Sequence, residues 1–154
     1  MQHNTPKLAE GDITQNPTNS TIEYTGVTSC LTFTVLYSDG TASGGHAGFM
    51  PGNGQKTVDQ VVADLKTQAQ GKTIAKVVLA GEIGMWDQNL GHIPQAPYPN
   101  VNAILQDLSP NAPVVRYDCD ADFQGSGAHF ALSADHQHLE VKKSNGTVVR
   151  NLNL

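Results

Sequence analysis

The chain has 154 residues, of which 38% are hydrophobic and only 15% charged, with 9 basic and 14 acidic side chains for a formal net charge of −5. That length makes one domain with a core that needs no metal or disulfide staple. The charge balance argues against nucleic acid and anionic membranes, which need a basic surface, and charge this sparse does not suit a coiled coil. No apolar run approaches the ~20 residues that span a bilayer, so no membrane insertion is expected. The N-terminal MQHNTPKLAEGD has no apolar stretch of the kind a secretory signal carries. The expected location is the cytoplasm, or a target cell reached without a cleaved signal.

Residues 1–19 are polar and read as a flexible arm that can order against the body; residues 20–154 read as a single domain. Residues 21–24 start a strand. LTFTVLY at 31–37 alternates apolar residues with Thr, which predicts a second. Ser38-Asp39-Gly40 turns the chain into a strand over about 45–50, and Pro51 to Gly54 form a loop. Thr57 with Gln60 fits a capping box. Val58, Val61, Val62, Leu65 and Ala69 then recur at helical spacing, and Gly71 ends the helix. IAKVVLA at 74–80 is a buried strand and residues 84–99 a long loop. A shorter helix covers 100–108 and a strand 113–117. Strands over 128–132, 139–142 and 147–151 close the chain, with Asn145-Gly146 as the last hairpin turn. The order predicts an α+β fold: a layered, sandwich-like sheet with two helices packed on one face.

The sharpest local feature is GVTSC at 26–30, followed sixteen residues later by Gly44-Gly45-His46. A cysteine attacks as its thiolate, and an imidazole beside it favours that form. Small residues before Cys30 allow a tight turn whose amides, at Ser29 and Cys30, face a substrate carbonyl. The strands carrying Cys30 and His46 are joined by a short turn, and paired strands lie ~4.8 Å apart, within reach of two side chains. Glycines at 44, 45 and 48 leave room for a bulge in the second strand. The alternative is a small packed cysteine and a solvated histidine.

In the order of these motifs, from about residue 21 to 143, the chain resembles the chemoreceptor glutamine deamidase (CheD-like) family. GVTSC stands where that family has its cysteine segment. LTFTVLYSDGTASGGHAGFMP at 31–51 matches a strand, a Gly-rich turn, a histidine and a closing proline. AKVVLAGEIGMW at 75–86, NVNAILQDL at 100–108, PVVRYDC at 113–119 and LEVKK at 139–143 follow in order. The deamidase toxins of the cytotoxic necrotizing factor and lethal-factor types share this Cys–His core. The resemblance implies deamidation of a glutamine side chain on a protein substrate, with Cys30 as nucleophile and His46 as base. Tyr24, Thr25 or a backbone carbonyl would orient the imidazole. Ser29, Tyr24 and Trp86 would face the substrate. No metal or organic cofactor is called for. Residues 84–99 and 119–128 depart from the family pattern, which points to a bacterial effector or toxin-like enzyme acting on a foreign protein. The rival readings are another Cys–His hydrolase, such as a protease or transglutaminase, and a non-catalytic binding module on the same fold.

Other residues carry less. Cys119 reads as a packed thiol; with only two cysteines in the chain, a reduced pair is expected. His136 and His138, placed on a strand, would share a face and reach zinc; together with His129 they read better as surface histidines. Trp86 with Tyr98 in the long loop would form a substrate-facing rim or else cover the edge of the core; His92 reads as solvated, and Glu82 would line the cleft with no role fixed by its neighbours.

Overall fold

In a computed structural model of the chain, residues 7–16, 21–92, 97–123 and 126–154 are described. The organising element is the strand Cys30–Tyr37, in which all eight residues are buried. Its strand neighbours on either side are Ala42–Gly48 and Ile74–Gly81, both antiparallel to it. Numbered in chain order, the strands are β1 (Lys7–Leu8), β2 (Ile13–Asn16), β3 (Glu23–Val27), β4 (Cys30–Tyr37), β5 (Ala42–Gly48), β6 (Ile74–Gly81), β7 (Val114–Asp118), β8 (Ala128–Leu132), β9 (His138–Lys143) and β10 (Val148–Asn153). The helices are α1 (Val58–Gln68), α2 (Ile83–Asn89), α3 (Val101–Leu108) and the single turn α4 (Asp120–Phe123). One sheet has the order β2-β5-β4-β6-β7 and the other β1-β3-β8-β9-β10.

Side chains alternate along β4, and each face meets a different layer. Leu31, Phe33, Val35 and Tyr37 pack with Val61, Leu65, Ile104 and Leu105 of α1 and α3. Cys30 and Leu36 pack with Tyr24, Phe130 and Val141 of the second sheet. The threonines of this strand, Thr32 and Thr34, are buried as well. Thr32 donates to the Ala80 carbonyl at 2.7 Å, and Thr34 shares a 2.7 Å hydrogen bond with the Tyr24 hydroxyl, so neither polar group is stranded. The result is a layered α+β fold: helices, a mixed sheet, then a second sheet.

The helices follow their sequence signals. Gln60 Oε1 accepts from the Thr57 N–H at 2.9 Å, the capping-box contact, and Asn100 caps α3 through the Ala103 N–H at 2.9 Å. Gly146 holds φ +89° in the β9–β10 hairpin. Residues 7–16 of the N-terminal arm are ordered against the body: β1 runs parallel to β3, and β2 antiparallel to β5, so this part of the arm belongs to both sheets. Two expectations need correction. The 84–99 loop contains α2 and a 3-10 turn at Leu90–His92; its residues 93–96 lie outside the described residues. Helix α2 has no side-chain cap of its own. The Gly84 N–H is met by Asp118 Oδ2 at 2.9 Å from the end of β7, a tertiary contact that no local pattern announces. Finally, the pairing of β5 with β4 runs from Leu36↔Ala42 to Cys30↔Gly48 without a bulge. The glycines serve packing instead: Gly44 admits the Tyr24 hydroxyl on one face and Gly45 admits Val61 on the other.

Candidate active site

Cys30 opens β4 from a turn that is held at three points. Trp86 Nε1 donates to the Ser29 carbonyl at 3.0 Å. The Glu82 N–H donates to the Cys30 carbonyl at 3.0 Å. Gly81, at φ +149°, lies so close that a Cβ there would come within 2.2 Å of the Cys30 carbonyl oxygen. Thr28 and Ser29 are exposed while Cys30 is buried. A cleft of about 480 Å³, lined by residues including Ser29, Glu82, Gly84 and Asp118, flanks this turn.

His46 stands on β5 opposite Thr32, and Cys30 stands opposite Gly48. Directly paired residues share a face, so Cys30 and His46 lie on the same side of the sheet as diagonal neighbours. Such neighbours are roughly 7–8 Å apart at Cα and closer at their side chains. The His46 ring is fully buried. Its Nδ1 is 2.9 Å from the Leu8 carbonyl oxygen. A carbonyl only accepts, so Nδ1 carries the proton and Nε2 the lone pair. Nε2 has no hydrogen-bond partner among the described residues. The Tyr24 ring stands edge-on to the imidazole, with centroids 6.4 Å apart, but its hydroxyl is engaged by Phe33 and Thr34. The orienting group is therefore the Leu8 carbonyl of the N-terminal strand. Thr25, the neighbour of Tyr24 in β3, lines a concavity with Glu23, His129 and Lys142 on the outer face of the second sheet, away from His46.

The thiol of Cys30 donates to Glu10 Oε2 at 3.7 Å and makes no hydrogen bond to His46. Burial and the Glu10 carboxylate push the Cys30 thiol up to about 11, against backbone hydrogen bonds at Ser29 and Thr28 that favour the thiolate. Burial pushes His46 below its ordinary value, partly offset by the Leu8 hydrogen bond and the charges of Glu10 and Asp12. At neutral pH the resting pair is thus a thiol and a neutral imidazole rather than an ion pair.

The remaining sequence candidates divide clearly. Trp86 is buried against Phe49 and supports the Ser29 carbonyl from inside, so it is a prop beneath the turn and not an exposed rim. Tyr98 is buried and donates to Asp107 at 2.6 Å. Cys119 is a free, buried thiol that donates to Glu82 Oε1 at 3.4 Å, and burial and the Glu82 carboxylate raise its pKa. Cys30 is free as well. His136 lies in the turn before β9 at φ +59°, not on a strand beside His138. Among the described residues no group of three His, Cys, Asp or Glu side chains is placed to hold a metal ion, and no helix is long and apolar enough to cross a membrane. The residues that sequence reading missed are Leu8 and Glu10. The one local hint was the turn-forming Gly11-Asp12, and nothing in the sequence around it ties that turn to His46.

The architecture is a two-sheet α+β domain whose junction buries a cysteine, a histidine and an orienting carbonyl. No family model matches the chain, and no curated protein does. Among solved structures it is similar to the C-terminal domain of CNFy from Yersinia pseudotuberculosis, with 10% sequence identity and a TM-score of 0.46. The likeness covers 96% of this chain and 61% of that one, so this chain spans about three-fifths of that structure's length.

Proposed function

We propose that this chain is a cysteine hydrolase that converts glutamine side chains of a protein substrate to glutamate, releasing ammonia. The observation that carries the reading is the His46 imidazole: its Nδ1 is tied to the Leu8 carbonyl, and its buried Nε2 is left without a partner among the described residues, on the sheet face that also bears Cys30. A structural histidine in a core normally satisfies both nitrogens. One held by a single nitrogen keeps the other for proton transfer.

In the proposed reaction, Nε2 takes the Cys30 proton as the sulfur attacks the carboxamide carbon. Backbone amides of the turn at Ser29 and Cys30 would stabilise the oxyanion; one such donor contributes about 3 kcal/mol in a transition state. The imidazolium returns its proton to the leaving ammonia, and a thioester remains. His46 then activates water, which releases glutamate and restores the thiol. The altered segments around 84–92 and 119–123 border the cleft beside Ser29 and would select the target, which supports an effector-type enzyme with its own protein substrate.

The test is mass spectrometry of glutamine-bearing proteins incubated with the chain. Each event adds about one dalton and releases one ammonia. The gain is expected with wild type and absent with Cys30→Ala or His46→Ala. No gain with any substrate would count against the proposal. Incorporation of an added primary amine would indicate a transglutaminase, and peptide cleavage a protease. One observation favours a non-catalytic binding module: the raised thiol makes no hydrogen bond to His46. Iodoacetamide separates the two. Faster, His46-dependent alkylation of Cys30 than of Cys119 supports the enzyme, and equal slow labelling supports the module.

A further inference from the structure

The segment joining β1 to β2 passes over the Cys30–His46 pair. Ala9 to Asp12 make a tight turn: the Asp12 N–H donates to the Ala9 carbonyl at 3.0 Å, Gly11 sits at φ +85°, and Asp12 Oδ2 accepts from the Ala9 N–H at 2.9 Å. This turn is laced to β5 at the histidine itself. The Gly11 N–H donates to the His46 carbonyl at 2.7 Å, and the His46 N–H to the Asp12 carbonyl at 3.0 Å. Glu10 is at the tip. Its Oε2 lies 3.7 Å from Cys30 Sγ, and its Oε1 lies within 1.7 Å of where a Cβ on Gly48 would stand. The side chain therefore lies in a slot whose floor is a glycine and whose end is the thiol.

The Glu10 charge favours a protonated His46, but it works against the thiolate that attack requires. Among the described residues no ion pair engages Glu10. What it does match is shape: a glutamate side chain ending against Cys30 is the product of glutamine deamidation, held in cis. A glutamine side chain has the same length and outline without the charge.

We infer that Glu10 is a built-in product mimic that plugs the active site, and that the slot over Gly48 takes side-chain carboxamides of glutamine length, which enter by displacing it. This rests on the Cys30–His46 reading above. The arm serves both states: the Leu8 carbonyl orients His46 whether or not the Glu10 side chain has swung out, so opening the site requires a rotamer change and not loss of the strand.

The test needs no external substrate. Glu10→Gln places a carboxamide against Cys30 within the same chain. Cys30 forms a C–S bond to the side-chain carbon as the C–N bond breaks, and ammonia leaves with the proton from His46. Water then cleaves the thioester, leaving a carboxylate and the free thiol. Peptide mapping of E10Q is expected to find position 10 converted to the acid, about one dalton heavier, while the E10Q/C30A double variant keeps the amide. Glu10→Ala is expected to speed alkylation of Cys30 several-fold at neutral pH, because it removes both the side chain that covers the thiol and the charge that opposes the thiolate. If the amide persists in E10Q while Cys30 still alkylates in a His46-dependent way, the plug is wrong and the dyad stands. If the amide persists and Cys30 alkylates as slowly as Cys119 with or without His46, both fail.

Discussion

Gly48 has no side chain, and the space above it holds the Glu10 carboxylate. Gly48→Ala is expected to leave the fold intact, because the obstructing atoms end a flexible side chain, and to expel Glu10 from the slot. Thermal unfolding should then match wild type while iodoacetamide labels Cys30 faster. The pH dependence has a definite sign. A negative charge raises the thiol, so Glu10→Ala should shift the alkylation profile of Cys30 to lower pH than that of wild type. Emptying the slot also lessens the burial of Cys30, the larger cause of its raised pKa, so both changes act in the same direction. Trp86→Phe keeps the ring but removes the donor to the Ser29 carbonyl. A part-buried acceptor without a partner costs about 1–3 kcal/mol, to be read from urea unfolding, and alkylation of Cys30 should change with it because the turn is less constrained.

At the scale of elements, the strand pair β4–β5 sets the site, and two adjacent glycines let both neighbouring layers close on it. A methyl at Gly44 would stand 2.6 Å from the Tyr24 hydroxyl, and one at Gly45 would stand 2.7 Å from a Val61 methyl. Gly44→Ala is expected to cost about 1–3 kcal/mol as an overpacking change, measured by the urea midpoint, and to part the second sheet from His46. Gln60→Ala removes the acceptor of the Thr57 N–H and is expected to cost about 1 kcal/mol without altering the site, since α1 packs on the opposite face of the sheet. The capping box, the helical spacing of Val58, Val61 and Leu65, and the Asn-Gly hairpin were legible because each is written in contiguous residues. Helix α2 was not, because its first turn is satisfied by Asp118 from another element.

The whole molecule buries several weak acids between its layers. Cys30, Cys119, Tyr24, Tyr98 and Tyr117 all have pKa values raised chiefly by burial. Each holds its proton in the folded state to a higher pH than in the unfolded chain. The unfolded state therefore loses protons first, and stability falls as pH climbs through the ordinary thiol and phenol range, between about 8.5 and 10, and beyond. Urea midpoints are expected to decline steadily above pH 9. Cys119→Ser, which replaces a titrating group by a non-titrating one, should flatten that decline.

The sequence by itself determined the layered α+β order, the placement of Cys30 at a strand entrance and the strand-to-strand approach of His46. Those features follow from local periodicity and short turns, which need no knowledge of distant residues. Only the tertiary structure decided what surrounds the pair. The carbonyl that sets the imidazole tautomer comes from Leu8, 38 residues away, and the carboxylate against the sulfur from Glu10, 20 residues away. A carbonyl leaves no mark in an amino-acid sequence, because every residue carries one. Glu10 sits in a polar stretch whose strands become visible only when the edges of two sheets are there to receive them.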